Sequence, residues 1–196
     1  MIGMKYYQEL TLLPTYEIPL TFVWSKVYQQ LHLAFVEQMD ENEHVKLGVS
    51  FPEYTAMEES LSIGTKTRIF AEEAETLKQL NLTKFLSRLQ DYTHITSVRS
   101  VPTTVKNFSV YSRVHQEGSS RQKARRYAKR HSITYDEAIK LFPNSKKFCA
   151  YPYVQMQSLT NQQNFRLFIK RTIIDHQVAG KFGTYGLGDT ATVPEF

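Results

Sequence analysis

The stretch TFVWSKVYQQLHLAFVEQ, residues 21–38, decides how the first half of the chain is read. Val23, Val27, Leu31, Ala34 and Phe35 recur at spacings of three and four, so they mark the inner stripe of an amphipathic helix. His32 sits beside that stripe. Upstream, YYQELTLL (6–13) alternates as a strand does and is ended by Pro14. Downstream, VKLGVSF (45–51) reads as a second strand closed by Pro52, and Ser62 to Ala71 as a third, with Ile63, Ile69 and Phe70 as core residues. Residues 72–89 read as a helix with Glu72, Glu73 and Glu75 near the positive end of its dipole. Residues 92–101 then give a strand ending at Pro102.

That order, β-α-β-β-α-β, is the split βαβ arrangement of ferredoxin-like and RNA-recognition domains, although spacing alone does not separate it from other α+β sandwiches. The expected fold class is α+β, with a ferredoxin-like domain over residues 1–102. Residues 103–196 predict a second α+β domain. It starts with a strand around 108–115 and a basic helix. A short helix follows over 135–141, begun by Thr134 and stopped by Pro143. Strands at 151–158 and 164–171 flank the polar connection LTNQQ. The final GKFGTYGLGDTATVPEF has glycines at 180, 183, 186 and 188, where backbone can turn sharply or approach a ligand. No repeat, low-complexity tract or free linker interrupts the chain, so the two halves are expected to pack together.

Charge is distributed unevenly along the 196 residues. Residues 1–100 hold 9 Lys/Arg against 13 Asp/Glu, a net of −4, whereas residues 101–196 hold 15 against 6, a net of +9. Most of that excess lies in GSSRQKARRYAKRH, 118–131, where Arg121, Lys123, Arg125, Arg126, Lys129 and Arg130 occur with no acidic residue among them. Ser119 or Ser120 is placed to cap the helix. Arg121, Arg125 and Lys129 stack in one row, and Gln122, Arg126 and Arg130 in the next, leaving Ala124, Ala128 and Tyr127 for packing. Like charges four apart repel, so a polyanion relieves the helix; the alternative is a basic helix facing solvent. Nucleic acid is the anion this pattern favours.

Cys149 is the only cysteine, which excludes an intrachain disulfide and a thiolate metal cluster. No apolar run approaches the ~20 residues of a membrane span, and the expected location is cytoplasmic. There is no HExxH, EF-hand loop or Walker lysine loop, and the carboxylates show no two-metal spacing. No cofactor or metal is expected. Histidines, hydroxyls and cations remain, a set that suits RNA transesterification: a base removes the 2′-OH proton and cations steady the phosphorane. The six histidines are 32, 44, 94, 115, 131 and 176, and composition does not choose among them.

GVSFP at 48–52, SRVH at 112–115, KARRYAKRH at 123–131, NFRLFI at 164–169 and TYGLG at 184–188 occur in that order. Together they resemble the CRISPR repeat-RNA endoribonuclease family of type I-F systems, from the first strand to the last residues. The resemblance implies an N-terminal ferredoxin-like domain and a C-terminal domain with most of the RNA contacts. It implies a metal-independent cut at the base of a repeat hairpin in the precursor transcript, leaving a 2′,3′-cyclic phosphate and a 5′-OH. It also implies that the enzyme stays on the guide RNA as part of a surveillance complex with other subunits.

Residue by residue, the resemblance makes His32, in QLHLA, the catalytic histidine that takes the 2′-OH proton. Ser158, seven residues before Phe165, matches the serine that holds the attacking ribose, and Tyr185 the tyrosine that orients the histidine. Phe165 matches the residue that stacks beneath the terminal base pair, and Arg113 the reader of a guanine edge. Arg126 and Arg130 become the best carried-over phosphate and base contacts, supported by Arg125 and Lys129, with Arg121 and Lys123 in the same helix. Two departures bear on the repeat sequence preferred: His115 stands where the family commonly has glutamine, and Lys129 where a further arginine is usual. On an alternating strand Arg113 and His115 share a face and address successive base pairs. Two rival readings are an RNA-binding module that does not cut and a DNA-binding regulator using the basic helix.

Overall fold

The computed structural model describes residues 3–57, 59–115, 120–142 and 149–196. The chain is mixed α+β and divides into two compact units, residues 1–114 with 151–196, and residues 115–150. These units do not follow a boundary at residue 102.

The first unit opens with β1 (Tyr6–Leu12) and α1 (Leu20–Val36). Pro19 starts the helix, its carbonyl accepting from the Phe22 and Val23 N–H groups. Short strands β2 (His44–Val45) and β3 (Leu47–Ser50) lead to a hairpin of β4 (Thr55–Met57) and β5 (Ser60–Ser62). Gly64, at φ +79°, then turns the chain into β6 (Lys66–Ala71). The helix expected over 72–89 is broken into α2 (Ala74–Leu80), α3 (Leu82–Phe85) and a 3-10 segment, Ser87–Tyr92. Asn81 causes the break: it sits left-handed at φ 44°, a region asparagine tolerates, closing α2 while its side chain caps α3 through the Lys84 N–H. The strand expected over 92–101 is likewise two, β7 (Thr93–Ile95) and β8 (Arg99–Ser100), both on β1.

In the main sheet the antiparallel order is β3-β6-β1-β7. In chain order the four are second, third, first and fourth, which is compatible with the ferredoxin-like expectation. The unit continues with β9 (Asn107–Val114). After the second unit, which holds α4 (Ser120–His131) and α5 (Tyr135–Lys140), come β10 (Tyr153–Gln157), β11 (Asn164–Ile174), β12 (Phe182–Gly183) and β13 (Val193–Glu195). A second antiparallel sheet runs β10-β11-β9-β13, while β12 pairs back onto β2.

One core joins both sheets of this unit. The predicted stripe of α1, Val23, Val27, Leu31, Ala34 and Phe35, is buried, along with Trp24 and Tyr28. It shares a cluster with Leu10, Ile69 and Phe70 from the first sheet and Val154, Leu167 and Ile169 from the second. The Tyr54 hydroxyl donates to the Ile169 carbonyl at 2.9 Å, a buried bond between the 1–102 segment and β11. Buried apolar area is the main stabilising term here, and it holds α1 against the strands that carry the other candidate residues.

In the second unit α4 and α5 pack together, with Ala124 and Ala138 fully buried. Tyr127 stacks on His131 one turn later at 4.1 Å and meets Phe142 edge-on at 5.6 Å. Thr134 and Glu137 form a reciprocal capping box at the start of α5. Ser132, left-handed at φ 53°, ends α4, and the Ile133 N–H returns to the Ala128 carbonyl. The cap expected at Ser119 or Ser120 and the stop at Pro143 lie outside the described residues and side chains.

Candidate active site

The first unit brings His32, Tyr185, Arg113 and Phe165 together. His32 projects from the half-buried edge of α1, beside the apolar stripe that locks the helix in place. Its Nδ1 lies 3.0 Å from the Thr184 carbonyl oxygen. A carbonyl only accepts, so Nδ1 carries the hydrogen and Nε2 is the nitrogen left for another partner. The Tyr185 ring lies flat on the imidazole, 4.3 Å between centroids at 14°. The Tyr185 ring thus covers one face of the imidazole.

Thr184 and Tyr185 are presented by a tight turn. The Gly186 N–H donates to the Gly183 carbonyl at 2.8 Å, and the Gly183 N–H to the Leu187 carbonyl at 2.8 Å. Gly186 adopts φ +68°, and its own carbonyl accepts from Val49 N–H in β3 at 3.0 Å. TYGLG is thus a backbone device that pins two consecutive residues against α1.

Arg113 is exposed on β9, one residue from that strand's end. Its guanidinium lies 5.5 Å from the Tyr185 ring centre and 5.4 Å from that of Phe165, the distance range of cation–π attraction. Phe165, half-buried near the start of β11, pairs with Met156 of β10. Electrostatics follow from this packing. Burial lowers the His32 pKa from its ordinary value, the Thr184 bond pushes it back up, and the Arg113 cation lowers it again. Burial raises the Tyr185 phenol while Arg113 opposes that rise. A lowered His32 pKa favours the neutral imidazole, whose Nε2 is unprotonated when Nδ1 holds the hydrogen.

Ser158 stands at the end of β10 in a turn closed by its own N–H to the Gln163 carbonyl and the Gln162 N–H to its carbonyl, both 2.9 Å. Its hydroxyl meets the Asn161 N–H at 3.5 Å, within the same turn. The link to α1 is one step removed: Gln29, three residues before His32, accepts from the Gln157 N–H at 3.4 Å.

His115 departs from the strand reading. The strand expected over 108–115 stops at Val114, opposite Phe168, so His115 is not held at a strand position beside Arg113. It belongs to the second unit and is exposed. In that unit α4 exposes Arg121, Arg125, Arg126, Lys129 and Arg130, with Lys123 half-buried.

Sequence reasoning missed Thr184, Gln29 and Tyr28, whose hydroxyl donates to the Tyr185 carbonyl at 2.9 Å. Thr184 acts through a carbonyl, which has no residue signature. Tyr28 falls at His32 minus four, on the same row of the helix, but inside an apolar face it carries no signal of a polar contact.

Comparison with known proteins settles the kinship. The profile of a family described as CRISPR-associated protein (Cas_Csy4) matches residues 7–196. This chain belongs to that family. Among its relatives, the CRISPR-associated endonuclease Cas6/Csy4 of Escherichia coli (strain UTI89 / UPEC) is 30% identical over 195 residues, covering 98% of this chain and 100% of the relative. The protein of the same description from Pseudomonas aeruginosa (strain UCBPP-PA14) is 31% identical over 196 residues, with 98% and 100% covered. Within the Cas_Csy4 family, then, the turn at 183–187 and the helix bearing His32 are parts of one matched whole. No helix among the described residues is long and apolar enough to cross a membrane.

Proposed function

We propose that this chain is an endoribonuclease that processes precursor CRISPR RNA, cutting at the base of the repeat hairpin. Relatives over its whole length are named CRISPR-associated endonucleases. The observation that carries the mechanistic reading is the geometry of His32: stacked on Tyr185 and hydrogen-bonded through Nδ1 to the Thr184 carbonyl, which leaves Nε2 for a base, while burial lowers its pKa.

In this reading Nε2 takes the proton from the 2′-OH upstream of the cut. The 2′-oxygen attacks the adjacent phosphorus, the P–O5′ bond breaks, the departing 5′-oxygen takes a proton from solvent, and Nε2 afterwards returns its own proton to solvent. The products are a 2′,3′-cyclic phosphate and a 5′-OH, and no metal is needed because RNA supplies its own nucleophile. A lowered pKa keeps the base unprotonated at working pH, which general-base catalysis requires. Ser158 holds the attacking ribose. Phe165 stacks under the last base pair, a contact worth about 1–3 kcal/mol by analogy with other base stacking. Arg113, already against Phe165, reads the guanine edge of the pair above it, and His115 contacts the stem nearby. The exposed cations of α4 hold phosphates of the stem. The enzyme stays on its product and joins other subunits of a type I-F surveillance complex through that guide RNA.

The test is His32→Ala assayed on a repeat hairpin. Cleavage is expected to vanish while hairpin binding survives, and a 2′-deoxy ribose before the cut is expected to block the wild type, whereas excess EDTA is not. Full cleavage by the variant sinks the assignment of His32, and loss of activity in EDTA revives a metal mechanism.

A further inference from the structure

Helix α1 grips two consecutive carbonyls of the C-terminal turn. Tyr28 and His32 are four apart and lie in one row along the helix. The Tyr28 hydroxyl donates to the Tyr185 carbonyl at 2.9 Å, and His32 Nδ1 donates to the Thr184 carbonyl at 3.0 Å. The Tyr28 ring does not depend on its hydroxyl for placement. It is fully buried, stacked on Phe51 at 6.1 Å and 26°, with Trp24 edge-on at 6.4 Å. Burial drives its phenol far above the usual tyrosine range, so the O–H remains a donor at every working pH.

The two carbonyls sit on adjacent peptide groups. The Tyr185 carbonyl and the Gly186 N–H share one peptide plane, held on one side by Tyr28 and on the other by the Gly183 carbonyl, and the Thr184 carbonyl lies within the turn which that plane closes. With the Tyr185 carbonyl held, the Thr184 carbonyl stays aimed at Nδ1. With it released, one of the two bonds on that plane is gone, the turn sits more loosely against α1, and the weakened Thr184 bond lets the neutral ring carry its hydrogen on Nε2 in part. That second tautomer has no lone pair where a base needs one.

We propose that Tyr28 is a positioning residue for the reaction: through the Tyr185 carbonyl it keeps the Thr184 carbonyl on His32 and so fixes the base-competent tautomer. The role rests on the reading of His32 as the general base. Among the described residues, the charged and titratable groups facing the imidazole are Arg113 on β9 and Tyr185 in the turn, and Tyr28→Phe changes the side chain of neither.

Tyr28→Phe removes one oxygen and keeps the buried ring. Long-range proton–nitrogen NMR of His32 in the RNA-free protein reads tautomer and titration directly. Single-turnover cleavage at saturating hairpin, hairpin affinity and the thermal midpoint are measured beside it. The Nε2–H tautomer is expected to gain population. His32 is expected to titrate at a still lower pH, because the Thr184 bond that raised its pKa is weakened. The cleavage rate constant is expected to fall about tenfold, the scale of one lost buried hydrogen bond, with affinity unchanged. A purely structural tyrosine lowers the thermal midpoint and leaves tautomer and titration where they were; that result overturns the proposal. A shifted tautomer with an undiminished rate overturns the base assignment of His32 and this role with it. Tyr28→Leu, which also removes the ring, is the second variant, and an unshifted tautomer there as well has the same meaning.

Discussion

Gly186→Ala tests whether the turn behind His32 has room for any side chain. The residue sits at φ +68°, where an L-residue costs about 1–2 kcal/mol. An ideal Cβ there falls 2.5 Å from Val49 Cγ1 and 2.9 Å from Phe35 Cε2. Val49 and Phe35 are both at most 1% exposed, so neither can swing into solvent. Overpacking of such a core costs roughly 1–3 kcal/mol, which brings the total to about 2–5 kcal/mol. That is a large share of the roughly 5–15 kcal/mol by which folded domains are stable. Gly183→Ala is the control. Its φ is not in the left-handed range, and its added Cβ meets only the Leu187 carbonyl, at 3.7 Å, an ordinary contact. Urea unfolding of the two variants is expected to separate them by at least ~1 kcal/mol, with Gly183→Ala within ~1 kcal/mol of wild type. In the fraction of Gly186→Ala that folds, cleavage is expected to fall further than affinity, because the Thr184 carbonyl and Tyr185 ring shift together. Equal stability for the two variants would refute the claim that this turn is closed around a glycine.

Two other predictions concern charge. Burial and Arg113 lower the His32 pKa, so the acid limb of kcat/KM against pH is expected below the free-histidine value of about 6.5. Arg113→Gln removes the lowering cation and is expected to move the position of that limb upward, whatever it does to the height; a stationary limb means His32 does not feel Arg113. The same sign governs stability: the folded state disfavours protonated His32, so its contribution is present above the unfolded pKa and is lost as pH falls through the folded one. For α4, each phosphate neutralised contributes roughly −0.7 to −0.9 to the slope of log K against log salt. Arg126→Ala with Arg130→Ala is expected to weaken hairpin binding and flatten that slope, and an unchanged slope means the helix faces solvent.

How much of this was legible in the sequence depends on what kind of group does each job. The stripe of α1 was legible because apolar side chains repeat at helical spacing, and all five residues read from it are buried. The break at Asn81 was not, since asparagine fits a helical pattern as well as it fits the left-handed cap it occupies here. Pro102 looked like a domain boundary because the β-α-β-β-α-β run ends there. The packing of β10 and β11 on α1, and the bond from Tyr54 to Ile169, are long-range facts that local periodicity does not encode. His32 and Tyr185 came from motif resemblance, yet their stacked geometry did not. Thr184 and Tyr28 came from neither, because one works by a carbonyl and the other by a hydroxyl inside an apolar helix face.

On the proposed reading, the two units divide the demands that cutting a structured RNA makes. Proton transfer depends steeply on geometry, and a misplacement near 1 Å can cost about a hundredfold in rate. The groups proposed to meet that demand, His32, Thr184 and Tyr185, all lie in the unit that holds the shared core of two sheets and α1. Their mutual distances are fixed by backbone hydrogen bonds and buried rings, neither of which relaxes easily. Attraction to phosphate falls off gently with distance and tolerates many side-chain positions. It needs only density of charge, which a two-helix unit with a small buried interface supplies in five exposed cations on one helix. If α4 holds phosphates as proposed, sequence change on its exposed face is expected to alter affinity through charge alone. A change in the turn at 183–187 reaches the imidazole first, since the only bond to its Nδ1 among the described residues is made there.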